Sequence, residues 1–100
     1  MIRTRYYVGL STSDGREVSP DVQDKVTQTV ADAYGGGCTC YYAVGYWQGS
    51  REGSLILEAL SEDTPERPIP EVLAGILAQL AEQSAVLWTA ERVAGGFVSA

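Results

Sequence analysis

The two cysteines are the residues of this chain with the most reactive side chains. Cys38 and Cys40 are two positions apart, so on a strand their side chains run parallel with Cα atoms roughly 7 Å apart, which is poor geometry for a disulfide. A zinc site within one molecule is also excluded, because the chain has no histidine and no third cysteine. We therefore expect two reduced thiols in the sheet core, and neither a metal nor another cofactor.

Acid-base chemistry would depend on Glu58 and Glu91, the carboxylates on predicted strands. Such groups act as general acids or bases when a partner or burial shifts their pKa, but they also serve as ordinary surface charges that oppose edge pairing, and we favour that second role. Nucleophilic catalysis of the Ser-His-Asp or Cys-His kind lacks its base, because there is no histidine. We therefore expect a protein that is not an enzyme.

Aromatic side chains dominate residues 37–47, a strand-like segment with large apolar groups on both of its faces. Tyr41 and Tyr42 are adjacent, so on a strand they point to opposite faces of the sheet. A chain with two helical patterns shields one face of a sheet. The other face therefore needs a second subunit, a partner protein or a flat ligand to cover it.

The N-terminal part of the chain predicts a strand followed by a helix. Residues 3–11 alternate between apolar and other side chains, which is typical of a half-buried strand, and the core candidates are Thr4, Tyr6, Val8 and Leu10. Ser19 supplies a capping hydroxyl directly before Pro20, so a helix should begin there. The glycines at 35–37 end this helix, which is the wrong order for a phosphate-binding loop.

The C-terminal part adds further strands around a second helix. We predict strands over residues 38–47, 54–60 and 85–93, a loop or hairpin over 48–53, and a helix that begins at Pro70. The apolar stripe of that helix comprises Val72, Leu73, Ile76, Leu77 and Leu80. The order β-α-β-β-α-β predicts an α+β, ferredoxin-like fold with a four-stranded antiparallel sheet and two helices on one face. Residues 1–93 form one domain, and 94–100 are a C-terminal tail or a short edge strand.

Composition restricts the partners. The formal net charge is −6, with 13 acidic residues against seven basic ones, so nucleic acid is a poor partner. No apolar run reaches the roughly 18 to 20 residues of a membrane span, and the N-terminus lacks the apolar stretch of a signal peptide. We expect no membrane partner and a cytoplasmic location.

Several short pieces of the chain, in order, resemble the DUF3574 family of small bacterial proteins of unknown function, and they are similar to short accessory proteins of phages. The pieces are Tyr7-Val8-Gly9-Leu10-Ser11 with Asp14-Gly15, Val18-Ser19, Gly37-x-Thr39 leading to Gly45-x-Trp47, and Glu52 before Ser54-Leu55. This resemblance supports the ferredoxin-like fold and implies no activity.

We expect a binding module that associates, as a homodimer or with another protein, through the sheet face opposite its helices. As a phage accessory protein it would act on a host protein. The alternative is a ligand-binding or enzymatic dimer of the α/β-barrel type, in which two sheets enclose a tyrosine-lined pocket for a small ligand. The candidate binding residues are Arg5, Tyr7, Tyr41, Tyr42, Trp47, Ile56 and Glu58.

Overall fold

The protein has the predicted ferredoxin-like architecture. A computed structural model describes residues 1–100 and contains six elements in the order β1 (Ile2–Gly9), α1 (Pro20–Ala33), β2 (Thr39–Trp47), β3 (Ser50–Ser61), α2 (Pro70–Leu80) and β4 (Leu87–Arg92). The strands form one antiparallel sheet in the order β2-β3-β1-β4. No helix or strand is assigned to residues 94–100. None of the helices has the length and apolar character needed to cross a membrane.

Local sequence signals explain the start and the end of α1. The Ser19 hydroxyl accepts a hydrogen bond from the backbone N–H of Val22 at 3.2 Å, and Pro20 occupies the first helical position. After the helix, Gly35 and Gly36 adopt positive φ values of 77° and 102°, a backbone conformation that glycine enters without steric cost. Both boundaries confirm the predicted helix.

The core lies between the helices and one face of the sheet. Tyr6 and Val8 from β1 and Leu55 and Leu57 from β3 are fully buried there. The helices add Val26, Val30, Leu73, Ala74 and Leu77 to the same cluster. In the stripe predicted for α2, however, Val72 and Ile76 are exposed, because the helix turns a narrower side toward the sheet.

The predicted β2–β3 hairpin has a shorter turn than expected. Gln48 and Gly49 form a two-residue turn in which both φ values are positive, 50° and 79°, as a type I′ turn requires. Strand β3 therefore begins at Ser50, and the whole of β2 pairs with it. Of the two alternatives predicted for residues 48–53, the hairpin is confirmed and the irregular loop is wrong. The turn is shorter than predicted, because residues 50–53 belong to β3 although they carry no strand pattern of their own.

The cysteines lie in two different environments. Cys38 is half-buried against the core, its Sγ donates to the Thr27 carbonyl at 3.7 Å, and burial raises the pKa of its thiol. Cys40 is exposed, because β2 is the edge strand and no helix covers it there. The prediction of two cysteines in the core is therefore wrong for Cys40.

Candidate functional site

The sheet face opposite the helices, here called the open face, carries the candidate site. Strand alternation and the register of the pairs place these side chains on it. From β1 and β4 they are Arg3, Arg5, Tyr7, Leu87, Thr89 and Glu91. From β2 and β3 they are Thr39, Tyr41, Ala43, Trp47, Glu52, Ser54, Ile56, Glu58 and Leu60.

An apolar row crosses the middle of the open face. Tyr41 is opposite Ile56, Ile56 is opposite Tyr7, and Tyr7 is opposite Leu87. Ile56 is only 8% exposed although no helix covers it, and its neighbours in register are the two tyrosines. The row is therefore a flat apolar surface with two phenol rings, suited to contact with a planar group.

An ion-pair network lies beside the apolar row. Arg5 Nε donates to Glu58 Oε1 at 2.7 Å, and Arg3 Nη2 donates to Glu91 Oε1 at 2.6 Å. Arg5 Nη1 also reaches Glu91 Oε1 at 3.4 Å, so the four side chains form one connected chain of charges. The Tyr41 hydroxyl extends it, with a donor distance of 3.5 Å to Glu58 Oε1.

These pairs fix the charge state of the network. The hydrogen bond with Glu58 raises the pKa of Arg5, and the hydrogen bond with Arg3 lowers the pKa of Glu91. The network therefore presents both charges near neutral pH. A ligand with an ammonium and a carboxylate group finds a partner for each on this part of the face.

A pocket of about 260 Å³ lies at the end of the network. Arg3, Glu58 and Leu60 contribute to it from the sheet. Its other walls come from Met1 and from the segment after β4, namely Val93, Ala94, Gly95, Gly96 and Phe97. The charged side chains of the network are therefore accessible from a concave part of the open face.

The structure brings five of the seven predicted site residues together. Arg5, Tyr7, Tyr41, Ile56 and Glu58 occupy neighbouring register positions on the open face. Tyr42 lies on the opposite face, where its hydroxyl donates to Gln23 Oε1 of α1 at 2.8 Å.

Trp47 does lie on the open face, but at the tip of the β2–β3 hairpin, about 20 Å along the strand from Tyr41. Arg3 and Glu91 are not among the predicted binding residues, although Glu91 is a candidate for acid-base chemistry. The alternation that places Arg5 on this face also places Arg3 there, and pairing of β4 with β1 adds Glu91.

Two solved structures share this fold. One is a phage SAM lyase in its apo state, and the other is a phage SAM lyase in complex with S-methyl-5′-thioadenosine. Both are 17% identical in sequence over 90% of this chain, with TM-scores of 0.63 and 0.62, and the matches cover 78% and 79% of the solved chains. No protein-family model and no curated protein sequence matches the chain, so the resemblance to DUF3574 stays a prediction.

These neighbours correct the expected function. The expectation of a non-enzymatic interaction module acting on a host protein is contradicted, because both solved structures that share this fold are of an enzyme, a phage SAM lyase. They favour the alternative, in which the face with the tyrosines holds a small ligand. At this level of identity the likeness establishes the fold alone.

Proposed function

We propose that this protein is an enzyme that binds SAM, S-adenosylmethionine, on its open face and cleaves it to S-methyl-5′-thioadenosine. The observation that carries the proposal is the position of Glu58, whose carboxylate is held by Arg5 beside the row of Tyr41, Ile56 and Tyr7. The shared fold with the phage SAM lyases supports the choice of ligand.

The charges of the open face complement the amino acid end of SAM. The α-carboxylate of that end needs a guanidinium, which Arg3 and Arg5 offer, and the α-ammonium needs a carboxylate, which Glu58 and Glu91 offer. These groups are already paired with each other in a half-exposed network, so the ligand joins existing ion pairs. The network thus binds and orients the reacting end of the molecule.

The apolar row complements the adenine. Tyrosine rings provide a surface on which a planar base stacks. Tyr7 and Tyr41 flank Ile56 in register, so both rings border one continuous surface. A SAM molecule with its amino acid end at Arg5 therefore has its sulfur above or beside these rings.

The same row favours the chemical step. An oxygen of the α-carboxylate attacks the γ-carbon of the same SAM molecule and closes a lactone, while the bond between that carbon and sulfur breaks. The electron pair of the broken bond goes to sulfur, and the sulfonium becomes the neutral thioether of S-methyl-5′-thioadenosine. Positive charge on sulfur decreases along this path, so surroundings that solvate a cation poorly stabilise the transition state relative to bound SAM. Ile56 and the tyrosine rings provide such surroundings.

We infer that a second copy of the chain covers the open face. The apolar row ends at Leu87, which is 61% exposed, and Tyr41 is also exposed, so the face of one molecule leaves a bound nucleoside in contact with solvent. Two such faces would enclose the ligand between them and exclude water from the reacting bond.

The direct test is to incubate the purified protein with SAM and to quantify S-methyl-5′-thioadenosine by chromatography. We expect product above the rate in buffer, and we expect Glu58→Gln to lower kcat/KM about tenfold or more, because a hydrogen bond to a charged group is lost. Glu66→Gln, an exposed glutamate of the loop before α2, is the matched control and should keep the wild-type rate.

Wild-type protein that forms no product above the buffer rate would contradict the proposal. Equal rates for Glu58→Gln and Glu66→Gln would remove Glu58 from the site.

A further inference from the structure

Gly9, the last residue of β1, keeps space free for two oxygen atoms. A Cβ atom at this position would lie 2.4 Å from Glu52 Oε1 and 2.6 Å from Gln83 Oε1, well inside contact distance for both. The two oxygens therefore point into one small space above the end of β1. Any side chain larger than hydrogen at position 9 would displace them.

Both oxygens are acceptors that the protein leaves without a donor. Gln83 Nε2 donates to the Ser11 carbonyl at 2.8 Å and to the Ala81 carbonyl at 3.1 Å, which fixes the orientation of the amide and turns Oε1 toward Gly9. Glu52 is half-buried, and its carboxylate accepts no hydrogen bond and forms no ion pair within the chain. Two such acceptors are stabilised when a ligand brings hydrogen-bond donors to them.

This acceptor pair, Glu52 and Gln83, lies on the other side of the apolar row from the ion-pair network. Along β1, Arg5 precedes Tyr7 by two residues and Gly9 follows it by two, so the charges and the acceptors are about 13 Å apart with the tyrosine between them. That separation suits a ligand with a charged end, a planar middle and a neutral end that carries donors.

We propose that Glu52 and Gln83 bind the neutral hydrogen-bond donors of the nucleoside half of the ligand. Two groups of a nucleoside have this chemistry, the ribose hydroxyls and the amino group of adenine. The inference rests on the proposed function, because the amino acid end of SAM at Arg5 directs the nucleoside over Tyr7 toward Gly9. Carboxylates accept ribose hydroxyls in other nucleotide sites, and here the amide oxygen adds a second acceptor.

The test is calorimetric titration of S-methyl-5′-thioadenosine into wild-type protein and two variants. Gly9→Ala places a methyl group where the two oxygens lie, and Glu52→Gln removes the charge while it keeps the shape. We expect each to raise Kd about tenfold, which is the loss of one hydrogen bond of about 1.4 kcal/mol. Gly37→Ala is the matched control, because it adds the same methyl group at an exposed position before β2, outside the open face, with no heavy atom within 4 Å.

The fold of Gly9→Ala should survive, because the atoms that its methyl group displaces are the ends of two flexible side chains. Circular dichroism and the melting temperature check this. The 2′,3′-dideoxy analogue and the 6-hydroxy (inosine-type) analogue then separate the two donors. The group held by the acceptor pair is the one whose removal weakens binding to the wild-type protein. For that analogue, wild type and Glu52→Gln should have the same Kd.

The outcomes distinguish the two proposals. If wild-type protein binds S-methyl-5′-thioadenosine and Gly9→Ala binds it as well as Gly37→Ala does, the acceptor pair is not a subsite, while the proposed function stands. The acceptor pair is excluded in the same way if both analogues bind like the parent compound. If wild type binds neither SAM nor S-methyl-5′-thioadenosine, the proposed function fails and this inference fails with it.

Discussion

Glu58 connects three kinds of group on the open face. Its Oε1 accepts from Arg5 at 2.7 Å, lies 3.5 Å from the Tyr41 hydroxyl, and borders the pocket that also contains Arg3. An ion pair at this level of exposure contributes little to stability, so its geometry is more informative about binding than about folding. Its place beside two phenol rings makes it the main candidate for ligand contact.

A second residue of the network, Glu91, makes stability depend on pH. Arg3 lowers the pKa of Glu91 below its ordinary value of 4.5 in the folded state. A lowered folded pKa stabilises the protein above the unfolded value, and this contribution is lost as pH falls through the folded pKa. We predict that the free energy of unfolding, measured with urea, decreases between about pH 5 and pH 3.

Glu91→Gln is the variant that tests this origin. The free energy of unfolding of this variant should decrease less than that of wild type over the same pH range. Part of the remaining decrease comes from Asp14, because hydrogen bonds from Thr12 and Arg16 lower its pKa in the folded state. Parallel pH profiles for wild type and Glu91→Gln would contradict the assignment.

Two adjacent residues of the stripe predicted for α2 differ in how deeply they are buried. Leu77 is fully buried in the core cluster, whereas Ile76 is 44% exposed. We predict that Leu77→Ala lowers the free energy of unfolding by about 2–5 kcal/mol through lost burial and a cavity, and that Ile76→Ala lowers it by about 1 kcal/mol or less. Chemical denaturation measures both, and equal losses would show that the packed side of α2 includes Ile76.

The sequence predicts elements whose signals are local. The cap at Ser19, the proline at each helix start and the alternation in β1 and β3 need only neighbouring residues, and all of them appear in the structure. Features that depend on the order of strands in the sheet could not be predicted from local sequence signals. The exposure of Cys40 and the helix-side position of Tyr42 follow from β2 being an edge strand covered in part by α1, which no local pattern encodes.

The candidate site also contains residues that local patterns predict and residues that only the strand pairing brings in. Alternation groups Arg5 with Tyr7 and groups Ile56 with Glu58, so these pairs could be predicted. Alternation also places Arg3 beside Arg5, whereas Glu91 joins them only through the register between β1 and β4. The acceptor pair is harder still, because Glu52 precedes the predicted third strand and Gln83 follows α2, and only the folded chain brings both to Gly9.

At the scale of the whole molecule, the open face and the outer side of α2 each expose a large apolar side chain. Leu87 on the open face is 61% exposed and Val72 on α2 is 58% exposed, which makes them a matched pair. We predict that sedimentation velocity at micromolar concentration detects an oligomer of the 10.7 kDa chain. A specific dimer requires an interface of roughly 1,200 Å² or more.

A charge placed on the open face should dissociate this oligomer. Leu87→Glu is therefore expected to sediment as a monomer, and Val72→Glu to remain associated. A wild-type protein that is monomeric throughout, or a Val72→Glu variant that dissociates as Leu87→Glu does, would exclude association through the open face.

Whether the open face holds an S-adenosyl ligand is decided by titrating S-methyl-5′-thioadenosine into the wild-type protein in a calorimeter. We predict saturable binding that Tyr7→Ala weakens by about tenfold, because stacking on one ring contributes about 1–1.5 kcal/mol. A titration without binding heat, confirmed by equilibrium dialysis at the same concentrations, would contradict the assignment of this face as a ligand site.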